Sequence, residues 1–107
     1  MHYLYIASTK GFSGKSLITL GLGLMLKDKG FSISYIKPYG KIPLKQEGRI
    51  IDADADFMRK ALDIEESPEV VSPFVVTYEF QNNLLKGRPS DKFDDVNRAL
   101  SSISGKD

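Results

Sequence analysis

The chain has 107 residues, 41% of them hydrophobic and 27% charged, the proportions of one small globular domain with a buried core. A net charge of +1 gives no reason to expect a nucleic-acid or acidic-membrane partner, and the lack of cysteine excludes a disulfide frame or a thiolate metal site. The first residues lack the basic and apolar regions of a secretory leader, and no apolar run is long enough to span a membrane, so the cytoplasm is the expected compartment.

Residues 2–7 are rich in aromatic and branched side chains and predict a buried strand, with His2 at its edge. A loop follows, with Gly11 and Gly14 inside it, and Gly14-Lys15-Ser16 opens an apolar helix. That context is the one a phosphate-binding loop requires. The strict pattern G-x-x-x-x-G-K-[ST] would place glycine at position 9, where this chain has Thr9. The physical parts remain, since glycines let backbone N–H groups curl around an anion and the helix N-terminus adds its dipole. On this reading Lys10, Gly11, Phe12, Ser13, Gly14, Lys15 and Ser16 hold the phosphates of a nucleotide. Lys15 reaches the outer phosphates and the Ser16 hydroxyl sits on Mg²⁺. The bland alternative is a glycine-softened turn with an exposed lysine; the strand before and the helix after favour phosphate. Lys10, followed by Gly11 and then Gly14-Lys15-Ser16, resembles the variant loop K-G-x-x-G-K-[ST], in several examples of which the first lysine reaches the nucleotide of a neighbouring subunit; an exposed loop lysine is the alternative.

The helix is expected over residues 14–29 and is apolar nearly all round, which predicts burial on more than one side. Gly21 and Gly23 inside it cost roughly 1 kcal/mol each in propensity, with close packing on a sheet as the compensation. Lys27, Lys29 and Gly30 suit its C-terminal end. Residues 31–37 read as a second strand, ended by Pro38. Strand, helix and strand in this length imply a βαβ unit with a parallel sheet and a right-handed crossover.

Residues 39–48 read as a loop with basic side chains at Lys41 and Lys45. A helix is expected over 51–62, with Ala53, Phe57, Met58, Ala61 and Leu62 on one face. Asp52, Asp54 and Asp56 crowd its start. Compensation of the helix dipole explains acids there; the functional alternative is that one of them faces the phosphates through Mg²⁺. Residues 65–76 read as a loop with an extended piece at Phe74-Val75-Val76. A short helix over 78–86 has Thr77 as N-cap and Gly87 as its stop. A last helix over 90–104 has Ser90 as N-cap and a stripe of Phe93, Val96, Leu100 and Ile103.

Taken together, Ser8-Thr9-Lys10-Gly11-Phe12-Ser13-Gly14-Lys15-Ser16, Tyr35-Ile36-Lys37-Pro38, Asp54-Ala55-Asp56-Phe57-Met58-Arg59 and Ser72-Pro73-Phe74 resemble one family. It is the dethiobiotin-synthetase-like P-loop domain, in the variety found at the N-terminus of phosphotransacetylase-family proteins. The resemblance spans essentially all of residues 1–107. It implies an α/β fold, the N-terminal part of a P-loop NTPase domain whose parallel sheet carries flanking helices, with the chain stopping before the third strand. It also implies ATP and Mg²⁺ as ligands, Ser16 and Asp54 as metal contacts, and Lys15 and Lys37 as the catalytic lysines, Lys37 beside substrate and transferred phosphate. A small-molecule substrate is implied but not its identity. The alternative function is a regulatory module that senses nucleotide without chemistry of its own. Without the third strand and its acidic residue, the chain alone is expected to turn over ATP poorly. The open inner edges of strands 2–7 and 31–37 are expected to drive self-association, unless the two strands pair with each other.

Overall fold

The computed structural model describes residues 2–8, 14–87 and 92–103. Its elements in chain order are α1 (Lys15–Asp28), β1 (Pro43–Gln46), β2 (Arg49–Asp52), α2 (Ala53–Ala61), α3 (Pro68–Val71), α4 (Tyr78–Leu85) and α5 (Lys92–Ser102). The loop residues Lys10, Gly11, Phe12 and Ser13 and the expected N-cap Ser90 lie outside the described residues.

The expected parallel P-loop sheet is absent among the described residues. What forms instead is a two-stranded antiparallel sheet of β1 and β2, with five helices around it. Residues 2–8 and 31–37 form no strand, so the βαβ unit and its crossover fall with them. A strand exists only through a lateral partner, and these segments have no ladder to join. Tyr3 and Tyr5 are 72% and 87% exposed, well outside the core. In the second segment the Lys37 N–H donates to the Val71 carbonyl (2.8 Å) and Ile33 and Tyr35 pack sideways on the core. Among the described residues, parallel pairing is limited to an isolated bridge between Gly40 and Val75.

The hairpin arises where a loop was expected. Glu47 and Gly48 both take positive φ, 51° and 78°, the backbone of a two-residue turn whose twist matches that of the strands it joins. It pairs Gln46 with Arg49 and Leu44 with Ile51, and alternation then leaves Ile50 exposed and Ile51 buried. β2 runs straight into α2, with Asp52 as the last strand residue and the N-cap.

α2 carries the core. Ala55, Met58 and Leu62 join Ile64 and Val71 in one buried cluster, with Leu20 of α1 packed against it. Met58 and Leu62 were expected on the buried face; Phe57, grouped with them, is 58% exposed. α3 is one turn with Pro68 at its start. α4 is capped at Thr77, whose hydroxyl accepts from the Phe80 N–H (3.1 Å), and Phe80 meets the ring of Phe74 edge-on at 4.8 Å. α5 buries Ala99, with Val96 and Leu100 half-buried on the stripe the spacing predicts.

α1 is not buried on several sides, because one neighbouring helix and no sheet covers it. Leu17 is 74% exposed, and of the helix only Gly23 is buried. Its C-terminus closes with the Gly30 N–H on the Lys27 carbonyl and the Phe31 N–H on the Leu26 carbonyl, a Schellman motif. Lys27 Nζ then donates to the Leu62 carbonyl (2.7 Å), tying α1 to the end of α2. The two internal glycines separate here. A Cβ on Gly23 would lie 2.7 Å from Leu62 Cδ2, whereas one on Gly21 meets nothing within 4 Å. Gly21→Ala is therefore expected to stabilise by about 1 kcal/mol through helix propensity. Gly23→Ala should destabilise, since displacing buried Leu62 costs about 1–3 kcal/mol. Thermal unfolding of the two variants checks the opposite signs.

Candidate functional site

The side chains singled out at three separate places in the chain converge at the start of α2. Gly14 is the N-cap of α1 with φ 83°, and Lys15 is the exposed first residue of the helix. One residue on, the Ser16 hydroxyl faces Asp54, with Oγ 3.1 Å from Oδ1 and 3.0 Å from Oδ2. Lys37 extends from the segment after α1 and brings Nζ to 3.2 Å from Asp54 Oδ2. Asp54 thus points at Ser16, as the family resemblance implies.

Asp52 or Asp56 was expected to face solvent, yet neither does, and Asp52 is the most constrained side chain of the group. It is fully buried. Its Oδ1 accepts from the N–H groups of Lys41 and Ile42, both at 3.0 Å, and its Oδ2 accepts from the Ala55 N–H at 2.9 Å. Lys37 Nζ lies 3.0 Å from Oδ2, so one ammonium bridges Asp52 and Asp54. The Asp52 N–H in turn donates to Ser72 Oγ at 3.1 Å. Gly40 makes room for all this, because a Cβ there would stand 2.5 Å from the Asp52 Cβ. Asp56 is not exposed either: it takes Lys60 Nζ at 2.9 Å and Arg59 at 3.4 Å. A signal for Asp52 existed in the sequence. An aspartate three residues before the first core residue of a helix is an N-cap candidate.

Electrostatics follow from these contacts. Burial works against the charge of Asp52, but the N–H groups of Ile42 and Ala55 and the Lys37 ammonium outweigh it and hold the carboxyl below its ordinary value. Burial, together with the charges of Asp54 and Asp52, pushes the Tyr35 hydroxyl well above its ordinary range, so it stays protonated beside the cluster. A hydroxyl and a carboxylate are the hard oxygen donors that Mg²⁺ takes. Among the described residues no group of three or more His, Cys, Asp or Glu gathers as a metal cage. A Mg²⁺ held by Ser16 and Asp54 would complete its shell with phosphate and water oxygens. No known protein-family model matches the chain.

The lowered Asp52 carboxyl fixes the sign of a pH effect. Its stabilisation is full above the ordinary value of 3.8 and is lost as pH falls through the lower folded value. Asp52→Asn leaves Lys37 with Asp54 alone and turns one of the two filled oxygens into a donor facing an N–H group, and is expected to cost about 1–3 kcal/mol at neutral pH. The gap between variant and parent should close as the pH falls below 3.8, which denaturant unfolding at a series of pH values measures.

Proposed function

We propose that the cluster at the start of α2 takes the phosphates of ATP together with Mg²⁺. The observation that carries this reading is the meeting of Ser16, Lys37 and Asp54 within hydrogen-bond distance, from stretches 17 and 38 residues apart in sequence. Each has a part suited to its chemistry. Ser16 Oγ and Asp54 would hold the metal, whose charge offsets that of the phosphates. Lys15, at the exposed tip of α1, supplies a mobile cation for the outer phosphates. Lys37, already between two carboxylates, is placed to turn to a transferred phosphoryl group, where positioning and charge do most of the work. The strand expected before the loop does not form, so the reading rests on this cluster and on the start of α1. The resemblance to dethiobiotin-synthetase-like proteins points the same way and adds a small-molecule second substrate without fixing its identity.

Calorimetry of the chain with ATP and Mg²⁺ tests this. Lys15→Ala and Asp54→Asn should each weaken binding at least about tenfold, the scale of one charge-assisted contact, with the fold intact. Unchanged affinity in both variants would overturn the reading. Phosphate release in the presence of small diamino or carboxylate compounds separates an enzyme from a nucleotide sensor, which binds without turnover.

Self-association is the second part of the proposal, though not through the edges of strands that do not form. Tyr3, Leu4 and Tyr5 and, on α1, Leu17, Ile18, Leu24 and Met25 are all exposed. Covering such apolar surface against a second copy removes it from water. Light scattering should show a mass that rises with concentration. Leu17→Lys with Ile18→Lys should return it to that of one chain.

A further inference from the structure

A second site lies apart from the Lys37 cluster and shares no residue with it. A cavity of about 390 Å³ opens between the hairpin, α2 and the start of α3. That is at the small end of the range for ligand sites. Arg49, Arg59 and Lys60 line it, with Glu47 at the turn and Ile51 and Pro68 as apolar wall.

Its charges fall into two groups. On the exposed side Arg49 meets two carboxylates, Glu47 at 3.5 Å and Glu69 at the start of α3. Exposed pairs of this kind hold weakly, and Arg49 can exchange them for another anion. On the α2 side the balance reverses. There a single carboxylate, Asp56, at 7% exposure, faces both Lys60 and Arg59. Arg59 is half-buried, and its Nε is fully enclosed without an acceptor. A buried N–H without an acceptor is disfavoured, and an oxyanion is its natural complement. A guanidinium offers parallel donors to the two oxygens of a carboxylate or phosphate.

We propose that this cavity binds the oxyanion head of a small molecule, a carboxylate or a phosphate group, with Arg59 as the anchor and Arg49 closing over it. The apolar wall of Ile51 and Pro68 takes the carbon part of that molecule. Carboxylate and phosphate share the recognising chemistry and are told apart by titration.

The test uses the full chain carrying Lys15→Ala, so that the phosphate site on α1 does not compete. Inorganic phosphate and succinate are titrated separately, and amide shifts are followed by NMR. At least one should saturate at about millimolar concentration or below, with the largest shifts at Gln46, Arg59 and Lys60. Saturation by phosphate alone supports a phosphate ester as ligand, and saturation by succinate alone supports a carboxylate. Arg59→Gln should weaken binding at least tenfold, and Arg59→Lys should recover only part because it keeps the charge without the fork. Arg49 is exposed, so Arg49→Gln leaves the fold alone and should weaken binding several-fold even if Arg59→Gln unfolds. No saturation by either anion, shifts confined to residues 14–16, or full affinity in Arg49→Gln together with either Arg59 variant would overturn the proposal.

Discussion

The buried carboxylate of Asp52 is the constraint on which the other parts depend. It stops β2, starts α2, and gathers the N–H groups of Lys41 and Ile42 that lead into the hairpin. A charge with no exposed surface is tolerated only when its oxygens are filled and its sign is balanced. Here three N–H donors and the Lys37 ammonium do both. Because the oxygens are so fully used, the direction of α2 is fixed, and with it the side on which Asp54 emerges, two residues later.

That arrangement gives Asp52 and Asp54 different work. Asp52 is locked by the backbone and has nothing left to offer a ligand. Asp54, with about a quarter of its side chain exposed, keeps access to solvent. The shared lysine passes the order of the first to the second: held on Asp52, its Nζ sets where Asp54 must sit, and the Ser16 hydroxyl completes the same geometry from α1. A rigid group and a reachable one, joined by one cation, suit a site that must recognise charge without losing its own shape.

Four of the five helices were legible in the sequence; α3, in a stretch that reads as loop, and the sheet were not. α1, α2, α4 and α5 carry period, caps and stops that act within a few residues, and Thr77, Gly30 and Gly87 sit at ends where such residues belong. The segments 2–7 and 31–37 have the composition of strands, but composition says nothing of a partner, and a strand without one is only extended chain. The hairpin was hidden for the opposite reason. Lys45, Gln46, Glu47 and Arg49 look like loop, and the turn at Glu47-Gly48 shows itself only through backbone angles. Within the site, the pattern left Asp52, Asp54 and Asp56 alike, and only the family resemblance singled out Asp54 to face Ser16. The burial of Asp52 and Asp56 could not be read at all, since acids near a helix start look alike until their neighbours across the fold are known.

Gly40 joins two regions that are distant in sequence. Its N–H donates to the Phe74 carbonyl and its carbonyl accepts from the Val76 N–H, both at 2.8 Å, while its missing side chain admits Asp52. Phe74 is in turn held between the rings of Tyr39 and Phe80. The aromatic stack that seats α4 and the ionic cluster that starts α2 are therefore two ends of one short extended segment. A residue at position 40 with a side chain would therefore disturb both at once, because the backbone that pairs with Phe74 and Val76 is the backbone against which Asp52 is packed.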